Sequence, residues 1–212
     1  MERASRELGR SSTPAATESA KLKICLVGGE GVGKTSLVRR FVLSEFDDRY
    51  LRTVGVVVHK RVVYLGPIEG RTYEANLTVW DVLGAPGFVG RYGDAYLANA
   101  AGVLAVCDVT RPETLEGLSP WLERAADPLR TVPTIILANK VDLTEHVRIT
   151  EDDLSAFCTR HHVTFLETSA KTGQNVGAAF AKLADRALRI SLAAGRGKSQ
   201  PLAESSFERL PE

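Results

Sequence analysis

The stretch Leu22-Lys23-Ile24-Cys25-Leu26-Val27, then Gly28-Gly29-Glu30-Gly31-Val32-Gly33-Lys34-Thr35, then Ser36-Leu37-Val38-Arg39-Arg40-Phe41 decides the fold. Its first part is apolar and partly β-branched, the composition of a buried strand. The middle part fits G-x-x-x-x-G-K-[ST], in which glycines let successive N–H groups turn inward on phosphate oxygens. Lys34 there neutralises charge and the Thr35 hydroxyl ligates magnesium. The last part opens an amphipathic helix, whose N-terminus favours an anion through unpaired N–H groups and the helix dipole. A bare glycine turn shares the spacing, but a strand directly before and a helix directly after it point to phosphate binding. Which nucleotide carries that phosphate has to come from the rest of the chain.

Downstream, residues 45–53 are polar and without a clear period, the pattern of an exposed loop. Two β-rich runs, 54–65 and 72–82, are joined by Gly66-Pro67-Ile68-Glu69-Gly70-Arg71 and form a hairpin. Residues 84–93 read as a glycine-rich loop leading into a short helix over 94–98. Strands are expected at 102–109, 132–138 and 163–166. Helices are expected at 112–126, after the cap Thr150, and at 175–192. Strands separated by helices define an α/β fold, a mostly parallel sheet with helices on both faces and ligands at the carboxyl ends of its strands.

With 27 basic and 26 acidic residues, the chain has no overall electrostatic case for a nucleic acid or membrane surface as partner. Cys25, Cys107 and Cys158 lack metal-like spacing and read as buried thiols of a reducing compartment. Residues 1–20 carry no apolar core of a secretory signal and are expected to be a flexible leader, with a second flexible segment at 193–212. Glu2 excludes myristoylation, and the closing Arg209-Leu210-Pro211-Glu212 has no cysteine to prenylate. No run approaches about 18 apolar residues. The expectation is a cytoplasmic protein without a direct membrane anchor, recruited to any membrane or complex by a partner.

Three further motifs stand at predicted strand ends. Trp80-Asp81-Val82-Leu83-Gly84 offers a carboxylate that can orient a water on the magnesium held by Thr35, and a Gly84 N–H that can reach a terminal phosphate. In Asn139-Lys140-Val141-Asp142, Asp142 offers two acceptor oxygens to the ring N–H and exocyclic amine of guanine, a pairing adenine cannot make. Thr168-Ser169-Ala170-Lys171 can place the Ala170 N–H on the guanine carbonyl.

Together with Thr53-Val54-Gly55, this ordered set resembles the Ras superfamily of small GTPases, closest in style to its Rab and Ras branches, over residues 21–192. The resemblance implies a P-loop NTPase three-layer fold, with a six-stranded sheet carrying one antiparallel edge strand. It implies GTP and GDP as bound nucleotides with Mg2+. The nucleotide contacts it implies are Glu30, Gly31, Val32, Gly33, Lys34, Thr35, Ser36, Phe46, Tyr50, Thr53, Gly84, Asn139, Lys140, Asp142, Ser169, Ala170 and Lys171. Phe46 resembles the aromatic that packs on guanine, and Tyr50 the tyrosine that closes over the phosphates. Thr53 resembles the threonine that joins Thr35 on magnesium, with Asp81 acting through water. Lys34, Thr53 and Gly84 take the catalytic positions. Effector, exchange-factor or activating proteins are expected at residues 46–58 and 84–95, the segments that respond to the terminal phosphate.

Two departures bear on the chemistry. Ala85 stands where the family carries a water-orienting glutamine, and a methyl group cannot position a nucleophile; some branches, however, work without that glutamine. Pro86 stiffens the same segment. Glu30 takes a loop position usually held by a small residue, where its carboxylate either faces the terminal phosphate or turns to solvent. Arg49, Arg52 and Arg91 are candidates for an arginine acting in cis. The expected function is a GTP/GDP switch with slow intrinsic hydrolysis. Its alternatives are a non-hydrolysing GTP-bound module and, though Asp142 opposes it, an ATP-dependent P-loop enzyme.

Overall fold

The computed structural model describes residues 17–46, 55–82, 84–85, 87–126 and 132–195. The candidates Arg49, Tyr50, Arg52, Thr53 and Pro86, and most of both expected terminal segments, lie outside these residues. Six strands form one sheet in the order β2-β3-β1-β4-β5-β6. These are β1 (Thr17–Val27), β2 (Val56–Ile68), β3 (Arg71–Val82), β4 (Gly102–Asp108), β5 (Thr134–Asn139) and β6 (Thr164–Thr168). All neighbours run parallel except the edge pair β2 and β3. The expected mostly parallel sheet with one antiparallel edge strand is therefore the observed one.

Helices α1 (Lys34–Leu43) and α6 (Val176–Ala193) cover one face. Their contact centres on Phe41 and Phe180, whose rings stack at a centroid distance of 3.9 Å. On the other face lie α2 (Phe88–Leu97), α4 (Ser119–Ala125) and α5 (Glu151–His161), through Tyr96, Trp121, Leu122, Leu154 and Phe157. A four-residue helix, α3 (Glu113–Glu116), precedes α4. β4 and β5 are covered on both sides, which is why they read as uninterrupted apolar runs. Thr150 opens α5 with a capping box, its side chain accepting from the Asp153 N–H and the Asp153 carboxylate accepting from the Thr150 N–H.

The structure corrects four local expectations. β1 begins at Thr17, inside the segment expected as a leader, because Thr17 to Ala20 continue the ladder onto Thr72 to Ala75 of β3. β2 runs on to Ile68, so the hairpin turn shrinks to Glu69 and Gly70, both at positive φ, the backbone that favours a tight β-hairpin. The expected helix over 112–126 is broken into α3 and α4 because Pro120 has no N–H to continue it. Finally, α2 starts at Phe88, well before the expected 94. Phe88, Tyr92 and Tyr96 form an aromatic stripe at helical spacing, with Phe88 and Tyr96 against Trp121. Those contacts outweigh the helix-weakening Gly90 and Gly93.

All three cysteines are buried, and burial pushes the thiols of Cys25 and Cys107 up to about 12. At pH 8 only about one part in ten thousand of either thiol is the reactive thiolate. The native protein should therefore resist a chromogenic disulfide reagent at pH 8 and react at all three cysteines once unfolded in guanidinium. Rapid native labelling of Cys25 or Cys107 would show that the sheet opens far more readily than its packing allows.

Candidate functional site

The sheet register brings the sequence motifs together at the carboxyl end. Leu26 pairs with Asp81, and Asp108, Asn139 and Thr168 stand side by side on β4, β5 and β6. The loop that follows β1 therefore leaves the sheet beside Asp81 and in front of Asn139.

The glycine-rich loop closes around its own lysine. Lys34 is buried, and its ammonium donates to the carbonyls of Gly28 (2.9 Å) and Gly29 (2.6 Å). Burial lowers its pKa to about 8, against opposing pulls from Asp81 and Glu30. An ammonium so poorly solvated gains from an anion brought beside it. No side chain caps the N-terminus of α1, and its first turn carries no acidic residue. That combination of backbone and charge suits a phosphate.

Beside it, the Thr35 hydroxyl donates to Asp81 Oδ2 at 2.6 Å. The other carboxylate oxygen, Oδ1, is buried without a hydrogen-bond partner among the described residues. Burial raises the Asp81 pKa, while the Thr35 hydrogen bond and the charges of Lys34 and His59 pull it down. An orphaned carboxylate oxygen next to a threonine hydroxyl fits a hard divalent cation or its coordinated water. The residues present thus suit a divalent cation such as magnesium.

Gly84 packs straight onto the glycine-rich loop: a Cβ there would overlap the Gly29 carbonyl and the Glu30 N–H. The backbone that follows Asp81 therefore lies where the loop opens. Ala85 comes next, its carbonyl accepting from the Phe88 N–H at the start of α2. Glu30 is half-buried and near enough to Lys34 to favour that ammonium's charge.

At the far side, Asn139 is 1% exposed and holds three segments at once. Its amide Nδ2 donates to the Val32 carbonyl (2.9 Å), and its Oδ1 accepts from the Ala170 N–H (3.2 Å) and the Thr168 hydroxyl (3.3 Å). Gly33 has φ 100°, and a Cβ on it would overlap the Asn139 amide, so only glycine meets both demands. Asp142 Oδ1 accepts from the Ser169 hydroxyl (2.5 Å), and Ser169 Oγ accepts from the Thr172 N–H. In this structure the Ala170 N–H is thus directed at Asn139, and a guanine carbonyl would share it or take it over.

Asp108 is a member of the site that sequence reasoning missed. It is 1% exposed, and its carboxylate accepts from Lys140 Nζ (2.6 Å), Arg111 Nε (3.1 Å), and the Thr110 hydroxyl and N–H. Burial pushes this carboxyl up, but the hydrogen bonds from Lys140 and Thr110 outweigh it and hold the carboxyl below its usual range. Arg111 in turn donates to the Glu30 carbonyl (3.1 Å), which joins the glycine-rich loop to the lysine of the guanine motif. The available signal was an acidic residue ending an otherwise apolar strand. Arg91, by contrast, lies exposed on α2.

A glycine-rich loop between a strand and a helix, a buried lysine at its end and a hydroxyl–carboxylate pair beside it are the arrangement of a P-loop nucleotide-binding protein. Residues 23–189 match the Ras family model. The chain is 32% identical to Ras-related protein Rab-13 of Bos taurus over 76% of this chain and 77% of that protein. It is 35% identical to Ras-related protein RABA2a of Arabidopsis thaliana (79% and 75%) and 34% identical to GTP-binding protein ypt4 of Schizosaccharomyces pombe (75% and 68%). The chain belongs to the Ras family, and its similarity is to the Rab-type small GTPases. It is a GTP-binding switch and GTP hydrolase that uses GTP, GDP and Mg2+ as the family does; these relatives give no support to a non-hydrolysing module.

Replacing Asp108 by Asn should lower stability to urea by about 2 kcal/mol, since two cations lose a buried partner but can turn to water. An unchanged midpoint in equilibrium unfolding would mean that the Lys140–Asp108–Arg111 contacts do not hold the loops together.

Proposed function

We propose that residues 21–192, with the strand extended back to Thr17, form a switch domain whose nucleotide lies along the loops just described. The backbone of Glu30 to Ser36 and the ammonium of Lys34 bind the phosphates. Thr35, with Asp81 through water, holds the metal, and Thr53 adds a second hydroxyl when the terminal phosphate is present. The Gly84 N–H senses that phosphate. Asp142 reads guanine, held in place by Ser169, while Asn139 acts mainly by tying the loops. Phe46, Tyr50, Lys140, Ala170 and Lys171 complete the enclosure. The observation that carries this reading is the Thr35–Asp81 pair, with its orphaned oxygen beside a buried lysine.

When bound, magnesium supplies positive charge to the phosphate oxygens. The chain's own contribution to hydrolysis is Lys34 charge and Gly84 hydrogen bonding at the terminal phosphate. Where the family carries its water-orienting glutamine, Ala85 offers only a methyl group. Partners bind the segments that follow the phosphate, residues 46–58 and 84–95, and one of them supplies the missing group. The buried unpaired thiols favour a reducing, cytoplasmic setting. No described helix is long and apolar enough to cross a membrane, and any recruitment to one is assigned to a partner.

Single-turnover hydrolysis by the purified chain should run at or below roughly 10⁻³ per second, the slow end for this chemistry. Ala85→Gln should raise it about tenfold or more, by restoring a group that orients water. Wild-type turnover near about 10⁻² per second without a partner would sink the role given to Ala85.

A further inference from the structure

Arg40 stands in the last turn of α1, and a cation there could serve only the helix dipole. Its geometry does more than that. Nε donates to the Ala170 carbonyl (2.8 Å) and Nη2 to the Lys171 carbonyl (2.5 Å), so the guanidinium fork is spent on two successive peptides of the loop after β6. A third N–H, on Nη1, lies 3.4 Å from the Ser44 carbonyl just beyond the helix. The Arg40 Cζ also sits 5.7 Å from the centre of the Phe46 ring. One rigid group therefore joins three things: the helix whose first residues bind phosphate, the ring expected on guanine, and the loop whose Ser169 holds Asp142.

We propose that Arg40 is a positioning residue of the guanine pocket, a clamp that fixes the Ala170–Lys171 backbone and Phe46 relative to α1 and thereby slows nucleotide release. The proposal rests on the reading of the site given above. A planar, permanently charged fork suits the task, because two hydrogen bonds to neighbouring carbonyls set both distance and orientation. Lysine at this position would reach one carbonyl but could not span both. Without the clamp, the loop keeps its ties to Asn139 and Asp142 but loses its anchor on α1. The base end of the pocket then opens more often while the phosphate end, held by Lys34 and Thr35, is unaffected. The Arg40 guanidinium is engaged with backbone carbonyls, so its effect should appear in the rate of release and not in the chemical step.

The test is dissociation of a fluorescent GDP from Arg40→Ala and Arg40→Lys, each measured with Mg2+ and with excess chelator. Release should be about tenfold faster for Arg40→Ala and about threefold faster for Arg40→Lys, the scale for losing charge-assisted hydrogen bonds that hold a pocket wall. The acceleration should be the same factor with and without Mg2+, because the clamp acts at the base end; a general loosening of α1 would move Thr35 and change the Mg2+ dependence. If Arg40→Ala does not fold, the lysine variant, which keeps the charge, carries the test. Release within twofold of wild type in the variant that folds, or acceleration confined to the Mg2+-bound form, would overturn the clamp alone. Wild-type protein that holds no labelled GDP would overturn the reading of the site and the clamp with it.

Discussion

The arrangement of this protein depends on one buried amide. Asn139 ends β5 with both ends of its side chain committed, donating to the phosphate loop and accepting from the segment after β6. A buried amide with an unmade bond would cost about 1–3 kcal/mol, so the three segments are held to one arrangement around it. Gly33 is the counterpart of that constraint: the loop approaches the amide so closely that no side chain fits. The loop after β6 is then anchored a second time from below by Arg40. Asp108 repeats the logic one strand over, tying Lys140 to Arg111 and through it to Glu30. Loops that would otherwise move separately thus share their anchors.

The other half of the site is tied through α2, at one end more than at the other. α2 is held to the strands by the Tyr96 hydroxyl, which lies within hydrogen-bonding reach of the Trp80 carbonyl (2.6 Å) and the Leu26 carbonyl (3.0 Å). Lys23 completes the joint. Its ammonium donates to the carbonyls of Tyr96 and Ala98 (both 2.8 Å) and lies 4.0 Å from the centre of the Trp80 ring. The end of α2 is therefore fastened to the strands that carry Asp81 and the phosphate loop. Its beginning connects to Gly84 and Ala85. On the proposed reading of Gly84, a change at the terminal phosphate would reach the start of that helix first, while its far end is anchored through Tyr96 and Lys23.

Much of this was legible in the sequence, for definite reasons. Phosphate loops and guanine motifs combine residue types that few other sites require in that order, and strands buried on both faces leave long apolar runs. The helix α2 was harder to see because Gly90 and Gly93 suggest a loop, whereas its stability comes from Phe88 and Tyr96 packing on Trp121, thirty-three residues beyond Phe88. Asp108 and Arg40 were missed on similar grounds. An aspartate at a strand end and an arginine at a helix end each have an ordinary local explanation, and their distant partners, Lys140 and the Ala170–Lys171 peptides, become visible only once the sheet brings the loops together. Ala85 is the reverse case: its significance depends on what is absent, which a sequence compared with its family shows more plainly than any contact does.

Because Asn139 ties the glycine-rich loop to the segment after β6, the nucleotide that stays with the purified protein measures its role most directly. Wild-type protein, denatured and its released nucleotide separated by ion-pair chromatography, should yield close to one guanine nucleotide per chain. Asn139→Ala, folded by circular dichroism, should yield about a tenth of that or less, the scale for losing a buried amide that serves three segments. An Asn139→Ala protein that keeps its full guanine nucleotide, or a wild type that carries adenine nucleotide instead, would contradict the account.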